Sequence, residues 1–175
     1  MAGRRIDAAD SETPRFPLRN VRLVERRIDA LFEREGATAL VSSAACGADL
    51  AALTVARRRG MRRRVVLPFG CEKFREISVT DRPGDWAPVY DRVLDEIDRT
   101  GDVITLEGRA DGDDAYLAVN ERIFRQAEML ARESNAEAMA LLVWEGAPRS
   151  ADDVTAAFGH EARKRGWRVE QVKTL

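Results

Sequence analysis

The chain has 175 residues, 45% of them hydrophobic and 34% charged, with a formal net charge of −1. That length suits one domain with a substantial core, and the charge balance excludes a molecule that takes up polyanions over its whole surface. No signal peptide is read at the start and no apolar run is long enough to span a membrane, so a cytoplasmic protein with reduced thiols and no membrane partner is expected. The two cysteines, Cys46 and Cys71, and the one histidine, His160, make no metal-ligand pattern. Neither a metal nor a cofactor is expected.

Residues 1–17 carry Pro14, Pro17 and scattered charges and read as a loop-like segment. In residues 18–35, Val21, Val24, Ile28, Leu31 and Phe32 recur at helical spacing, and Gly36 closes the helix. Residues 37–69 read as strand (37–41), small-residue turn (42–47), helix (48–59, stopped by Gly60) and strand (65–69). A right-handed crossover makes these two strands parallel. Residues 71–77 suggest one or two helical turns, and 81–85 a Pro- and Gly-rich turn. Residues 86–100 form a helix on Val89, Tyr90, Val93, Leu94 and Ile97.

A short strand at 103–106 and a polar loop at 109–114 precede a long helix over 113–134. The run AMALLVW at 138–144 is nearly continuously apolar, as in a strand covered on both faces. A helix over 150–165 takes Ser150 as N-cap and Asp153 at N3, and 167–172 is the last strand. The alternation predicts a single α/β domain over 1–175, a Rossmann-like three-layer sandwich with a mostly parallel sheet. Only Met1-Ala2-Gly3 precede the first loop, so the first strand is expected to be short or missing.

The turn Ser42-Ser43-Ala44-Ala45-Cys46-Gly47 lies between a strand's carboxyl end and a helix's amino end. Free N–H groups and the helix dipole favour an anion there, and open α/β sheets bind ligands along this edge. Gly47 can adopt positive φ, the Ser42 and Ser43 hydroxyls can donate to phosphate oxygens, and Asp49 suits the helix amino end. Cys46 sits where a thiol pKa can fall. The alternative is a tight turn with Asp49 as a cap. The arginines at 57–59 and 62–64 make a dense basic cluster, either a nucleic-acid patch or a rim balanced by acids. Near-zero net charge and the lack of interleaved aromatics favour the rim.

The order Gly3-Arg4-Arg5-Ile6-Asp7, Phe16-Pro17, Ser43-x-x-Cys46-Gly47-Ala48-Asp49 and Val66-Leu67-Pro68-Phe69 resembles the SLOG-type Rossmann-like superfamily. Trp86, Tyr90-Asp91, Tyr116, Asn120-Glu121-Arg122 and residues 140–146 continue the resemblance over almost the whole chain. That superfamily includes the Lonely Guy (lysine decarboxylase-like) phosphoribohydrolases and the DNA-processing protein A family. The resemblance implies a nucleotide or nucleotide-derived ligand at the strand ends. It places Gly3, Arg4 and Asp7 at the end of the first strand, Gly47 and Asp49 in the second turn, and Pro68 and Phe69 at the end of the third strand. Trp86, Tyr90, Tyr116 and Asn120 would line the purine or ribose side, although helix packing explains Trp86 and Tyr90 as well. A homodimer through the helix over 86–100 or that over 113–134 is also implied.

The hydrolase branch carries a Pro-Gly-Gly-x-Gly-Thr loop and a catalytic glutamate. Here the corresponding loop is Glu145-Gly146-Ala147-Pro148-Arg149-Ser150-Ala151-Asp152-Asp153, without the double glycine. Gly146, Arg149 and Ser150 remain candidates to hold a phosphate. The expected function is therefore nucleotide binding as a sensor or regulatory module. The alternative is an N-glycosidic hydrolase of nucleotides with Asp7, Asp49, Asp152 or Asp153 as the carboxylate, and a second alternative is a DNA-binding domain resting on the arginine cluster.

Overall fold

A computed structural model describes residues 1–106 and 113–175. The polar loop expected at 109–114 lies mostly outside the described residues. The elements run β1 (Ala2–Gly3), α1 (Val21–Arg34), β2 (Ala39–Ser42), α2 (Ala48–Arg58), β3 (Arg62–Leu67), α3 (Cys71–Ser78), α4 (Ala87–Asp98), β4 (Val103–Thr105), α5 (Asp113–Glu133), β5 (Ala140–Trp144), α6 (Val154–Lys164) and β6 (Val169–Lys173). A short 3₁₀ turn, Leu18–Asn20, leads into α1.

The strands form two parallel three-stranded sheets, ordered β1-β5-β6 and β2-β3-β4. They meet where the Met1 amino group donates to the Val41 carbonyl at 2.7 Å. Across that junction the order is β6, β5, β1, β2, β3, β4. The chain runs outward from β1 through β2, β3 and β4, then crosses to β5 on the other side of β1. This reversal is the switch point at which open α/β sheets leave a crevice at their strand ends.

Helices cover both faces. α1, α2 and α4 enclose a core that includes Ile28, Leu50, Leu53, Phe74 and Ile97. α5 and α6 enclose a second, built on Val66, Phe124, Leu142 and Phe158, where the Phe124 and Phe158 rings stack with centroids 4.4 Å apart. β5 is buried at every position, as its continuous apolar run predicts.

Three local expectations are corrected. The segment 1–17 is not all loop, because Ala2–Gly3 pairs with Leu142 and Val143 of β5; the first strand is short rather than missing. β3 starts three residues earlier than the apolar pattern suggested, at Arg62, because acids placed by distant elements pair its arginines. Arg64 donates to Asp102 at 2.7 Å and to Gln126 at 2.6 Å. Finally, Asp153 rather than Ser150 is the N-cap of α6, its carboxylate accepting from the Thr155 and Ala156 N–H groups. Ser150 lies outside the helix and is exposed.

Candidate functional site: a cleft at the carboxyl ends of the strands

Two glycines bring β1 and α2 into contact. A Cβ on Gly3 would lie 2.3 Å from the Ala48 Cβ, and one on Gly47 would lie 2.8 Å from both the Arg4 carbonyl oxygen and the Ile6 nitrogen. Gly47 also has φ +99°, a conformation other residues rarely adopt. With both side chains absent, the Ala48 N–H reaches the Arg4 carbonyl at 3.0 Å. Gly47 therefore fits the backbone of residues 4–6, and it does not line the cleft.

The small-residue turn is largely occupied by the protein itself. Ala45 N–H donates to the Asp49 carboxylate at 3.2 Å, and Cys46 N–H to the Ser78 carbonyl at 3.0 Å. The Ser42 hydroxyl is spent on the Ser43 carbonyl at 2.8 Å. The amino end of α6 is similarly closed, since Asp153 accepts from Thr155, Ala156 and Arg149 N–H groups. The backbone donors that usually hold a phosphate in such folds are mostly satisfied at both turns.

Above these turns lies a cleft of about 450 Å³, lined by residues after β1, the β2–α2 turn, α3, the α3–α4 turn, α5 and the start of α6. Of the residues expected at a site, it brings together Gly3, Arg4, Asp7, Ser43, Asp49, Tyr116, Asn120 and Arg149. Ser42, Gly47, Pro68, Phe69, Trp86, Gly146 and Ser150 are not among its walls. Phe69 packs on Phe74 with centroids 6.0 Å apart. Trp86 is buried, its indole N–H donating to the Pro83 carbonyl at 3.0 Å. Tyr90 is also core, its hydroxyl donating to the Cys71 carbonyl at 3.0 Å. Gly146 faces the Lys173 ammonium instead.

The cleft also gathers Arg5, Arg15 and Arg82, which sequence reading did not single out. Their convergence depends on segments some 70 residues apart; the Arg4-Arg5 pair was the only local sign. The floor holds polar groups. The Ser78 and Tyr116 hydroxyls lie 3.1 Å apart, and the Asn120 amide donates to the Val154 carbonyl at 3.3 Å. The Ser43 hydroxyl is buried without a partner among the described residues.

The candidate carboxylates differ sharply. Asp7 accepts the Arg15 and Phe16 N–H groups at 2.9–3.1 Å and so braces its own loop. Asp152 is exposed and outside the cleft. Asp153 is fully buried; burial alone would raise its pKa, but bonds from Arg149 N–H, Ala156 N–H and Arg4 hold it below the ordinary range. Asp49 is the exception. Burial pushes its carboxyl up to about 6, only partly offset by the Ala45 N–H.

Arg4 lines the cleft, yet its guanidinium makes five hydrogen bonds, to Glu145, Asp153 and the Ala147 carbonyl. All three guanidinium nitrogens are thus engaged by the protein, and the charge is met by two carboxylates. Cys46, at a position where a thiol pKa can fall, is fully buried, and burial pushes its pKa up despite the nearby Arg5. Among the described residues no group of three or more His, Cys, Asp or Glu side chains is placed to hold a metal ion. No described helix is long and apolar enough to cross a membrane.

No family model and no curated protein matches the chain. Among solved structures, DNA processing protein A from Streptococcus pneumoniae aligns with 17% sequence identity and a TM-score of 0.43, covering 96% of this chain and 57% of its own. The chain thus spans a little over half the length of that protein.

Proposed function

We propose that the cleft binds the anionic group of a nucleotide or nucleotide-derived small molecule, as a sensor or regulatory site without turnover. One observation carries the proposal. The cleft sits at the switch point of a parallel sheet, and Arg5, Arg15, Arg82 and Arg149 line it, each of them partly exposed or at the surface and paired with a single carboxylate. Its volume of about 450 Å³ suits a small molecule. With the backbone donors of both turns mostly taken, guanidinium groups rather than a glycine loop supply the anion contacts. Guanidinium matches two phosphoryl oxygens at once. The neutral floor of Ser43, Ser78, Tyr116 and Asn120 suits the hydroxyls or ring edges of the remainder.

Binding without turnover is favoured because Asp7 and Asp153 are already committed to backbone N–H groups and Asp152 is outside the cleft. A hydrolase acting on an N-glycosidic bond stays as the second reading on account of Asp49, whose carboxyl near 6 lies in the range of a general acid.

The test is a melting-temperature panel of nucleoside 5′-monophosphates, the parent nucleosides and inorganic phosphate, with free base assayed in parallel. A rise in melting temperature that requires the phosphate, weakens in Arg149→Ala and releases no base supports binding. Base release that is lost in Asp49→Asn supports the hydrolase. No shift and no base release with any probe overturns both.

A further inference from the structure

We infer that Asp81 occupies the place of the ligand's anionic group and thereby sets the affinity of the cleft, an inference that rests on the anion-binding reading above. Asp81 lies on the exposed turn between α3 and α4, and one of its oxygens accepts from Arg5 Nη2. Its other oxygen lies 3.6 Å from Arg82 Nε. Arg5 and Arg82 are both cleft residues, so a single protein carboxylate bridges two of the four guanidinium groups that line the cleft; of the other two, Arg15 pairs with Glu145 and Arg149 lies 3.5 Å from Asp153.

The bridge is geometrically poor on the Arg5 side. Arg5 meets Asp81 through Nη2, and its buried Nε makes no hydrogen bond among the described residues, although the guanidinium also interacts with the Cys46 side chain; a well-placed carboxylate or phosphoryl group takes Nε and Nη2 together. A buried donor left unsatisfied is unfavourable. The contrast with Arg4 is direct, because every nitrogen of that guanidinium donates to an acceptor. Asp81 itself is 35% exposed, and among the described residues its carboxylate pairs only with Arg5 and Arg82. It can swing into solvent without breaking anything else.

An entering phosphoryl group has three oxygens and more charge than Asp81. It displaces the carboxylate, meets Arg5 at two points and gains Arg82. Asp81 is then an intramolecular competitor. It offsets one of the two positive charges without ligand, and it lowers affinity for weak monoanions.

The experiment compares wild type, Asp81→Asn and Asp81→Asn/Arg5→Ala by calorimetric titration with adenosine 5′-monophosphate, pyrophosphate and adenosine. Asp81→Asn is expected to bind the two phosphorylated probes three- to tenfold more tightly, with adenosine unchanged, and the added Arg5→Ala change should abolish the gain. Equal or weaker phosphate binding in a folded Asp81→Asn protein overturns the role of Asp81 while leaving the cleft as an anion site. A gain that is as large for adenosine also overturns it. Failure of every probe with both proteins overturns the anion site itself.

Discussion

One nitrogen of Arg4 reaches both oxygens of Asp153: Nη1 lies 2.8 and 2.6 Å from them, with both side chains buried. The same guanidinium holds Glu145 through Nε at 2.6 Å and lies 5.5 Å from the centre of the Trp144 ring. This contact fastens the end of β1 to the loop that leads into α6, and so fixes two walls of the cleft.

Breaking that contact from one side leaves a buried charge without its partner. Arg4→Ala should destabilise the protein by about 3–5 kcal/mol in urea unfolding. Asp153→Ala should cost at least as much, because it also removes the α6 cap, itself worth about 1 kcal/mol. The pair further predicts acid sensitivity. The bonds to Arg4 and to backbone N–H groups outweigh burial and hold Glu145 and Asp153 below their ordinary range. The folded protein therefore binds fewer protons than the unfolded chain. The stabilisation is present in full above about pH 5, beyond the ordinary values of both groups, and is lost as pH falls through the lowered folded values. In Arg4→Ala this acid-side slope should flatten.

Asp49 predicts the opposite slope. Its folded pKa, near 6, lies above the ordinary 3.8 because the carboxyl is buried. Here the folded protein binds the extra proton, so stability falls as pH rises from 3.8 to about 6 and is level beyond it. Asp49→Asn keeps an oxygen to accept from Ala45 N–H and removes the charge. It should be more stable than wild type by roughly 1–3 kcal/mol at pH 8, and the gap should close by about pH 4. Equal stability at pH 8 would show that the ionised carboxylate is compensated.

The glycines of the junction separate a packing role from a ligand role. Gly3→Ala places a Cβ 2.3 Å from the Ala48 Cβ and 2.9 Å from the Val143 carbonyl oxygen. Gly47→Ala adds an unfavourable φ of +99° to contacts of 2.8 Å with backbone. Each should cost about 3 kcal/mol in unfolding. Gly36→Ala, with φ +59° and nothing within 4 Å, should cost only about 1 kcal/mol. If Gly47→Ala instead unfolds like wild type, α2 does not dock on residues 4–6 as described.

Much of the fold was legible because it follows from local periodicity. The stripe Val24, Ile28, Leu31 and Phe32 makes α1, and the apolar run at 140–144 makes a strand buried on every side. The Gly47 turn and the helix after it were legible for the same reason. The saturation of that turn was not, because its acceptors are the Arg4 and Ser78 carbonyls, distant in sequence. Arg4 read as a ligand residue, since nothing local reveals that Glu145 and Asp153 consume its donors. Ser150 read as a cap because serine is a common one. Asp153 won the position by also meeting Arg4, across 149 residues.

The arginine cluster gives the last prediction. Arg57 and Arg63 both pair with Glu96, at 2.9 and 3.0 Å. Arg58 pairs with Glu25 at 3.2 Å, and Arg59 with Asp29 at 3.1 Å. Arg62 reaches Glu133 at 3.0 Å, and Arg64 is buried against Asp102. Each of the six thus has an acidic partner, and the cluster lies at the carboxyl end of α2 and the start of β3, the edge opposite the cleft. A phosphate backbone would have to displace these acids one by one. Labelled oligothymidine should show no salt-sensitive binding by anisotropy, even at about 50 mM salt, where neutralised phosphates contribute most. Arg58→Ala and Arg59→Ala should each change stability by less than about 1 kcal/mol, as exposed pairs do. Arg64→Ala should cost about 3 kcal/mol, because it leaves Asp102 buried with only the exposed Arg62 to meet it. Tight, salt-dependent DNA binding that Arg58→Ala and Arg59→Ala weaken would establish the cluster as a nucleic-acid surface despite its pairing.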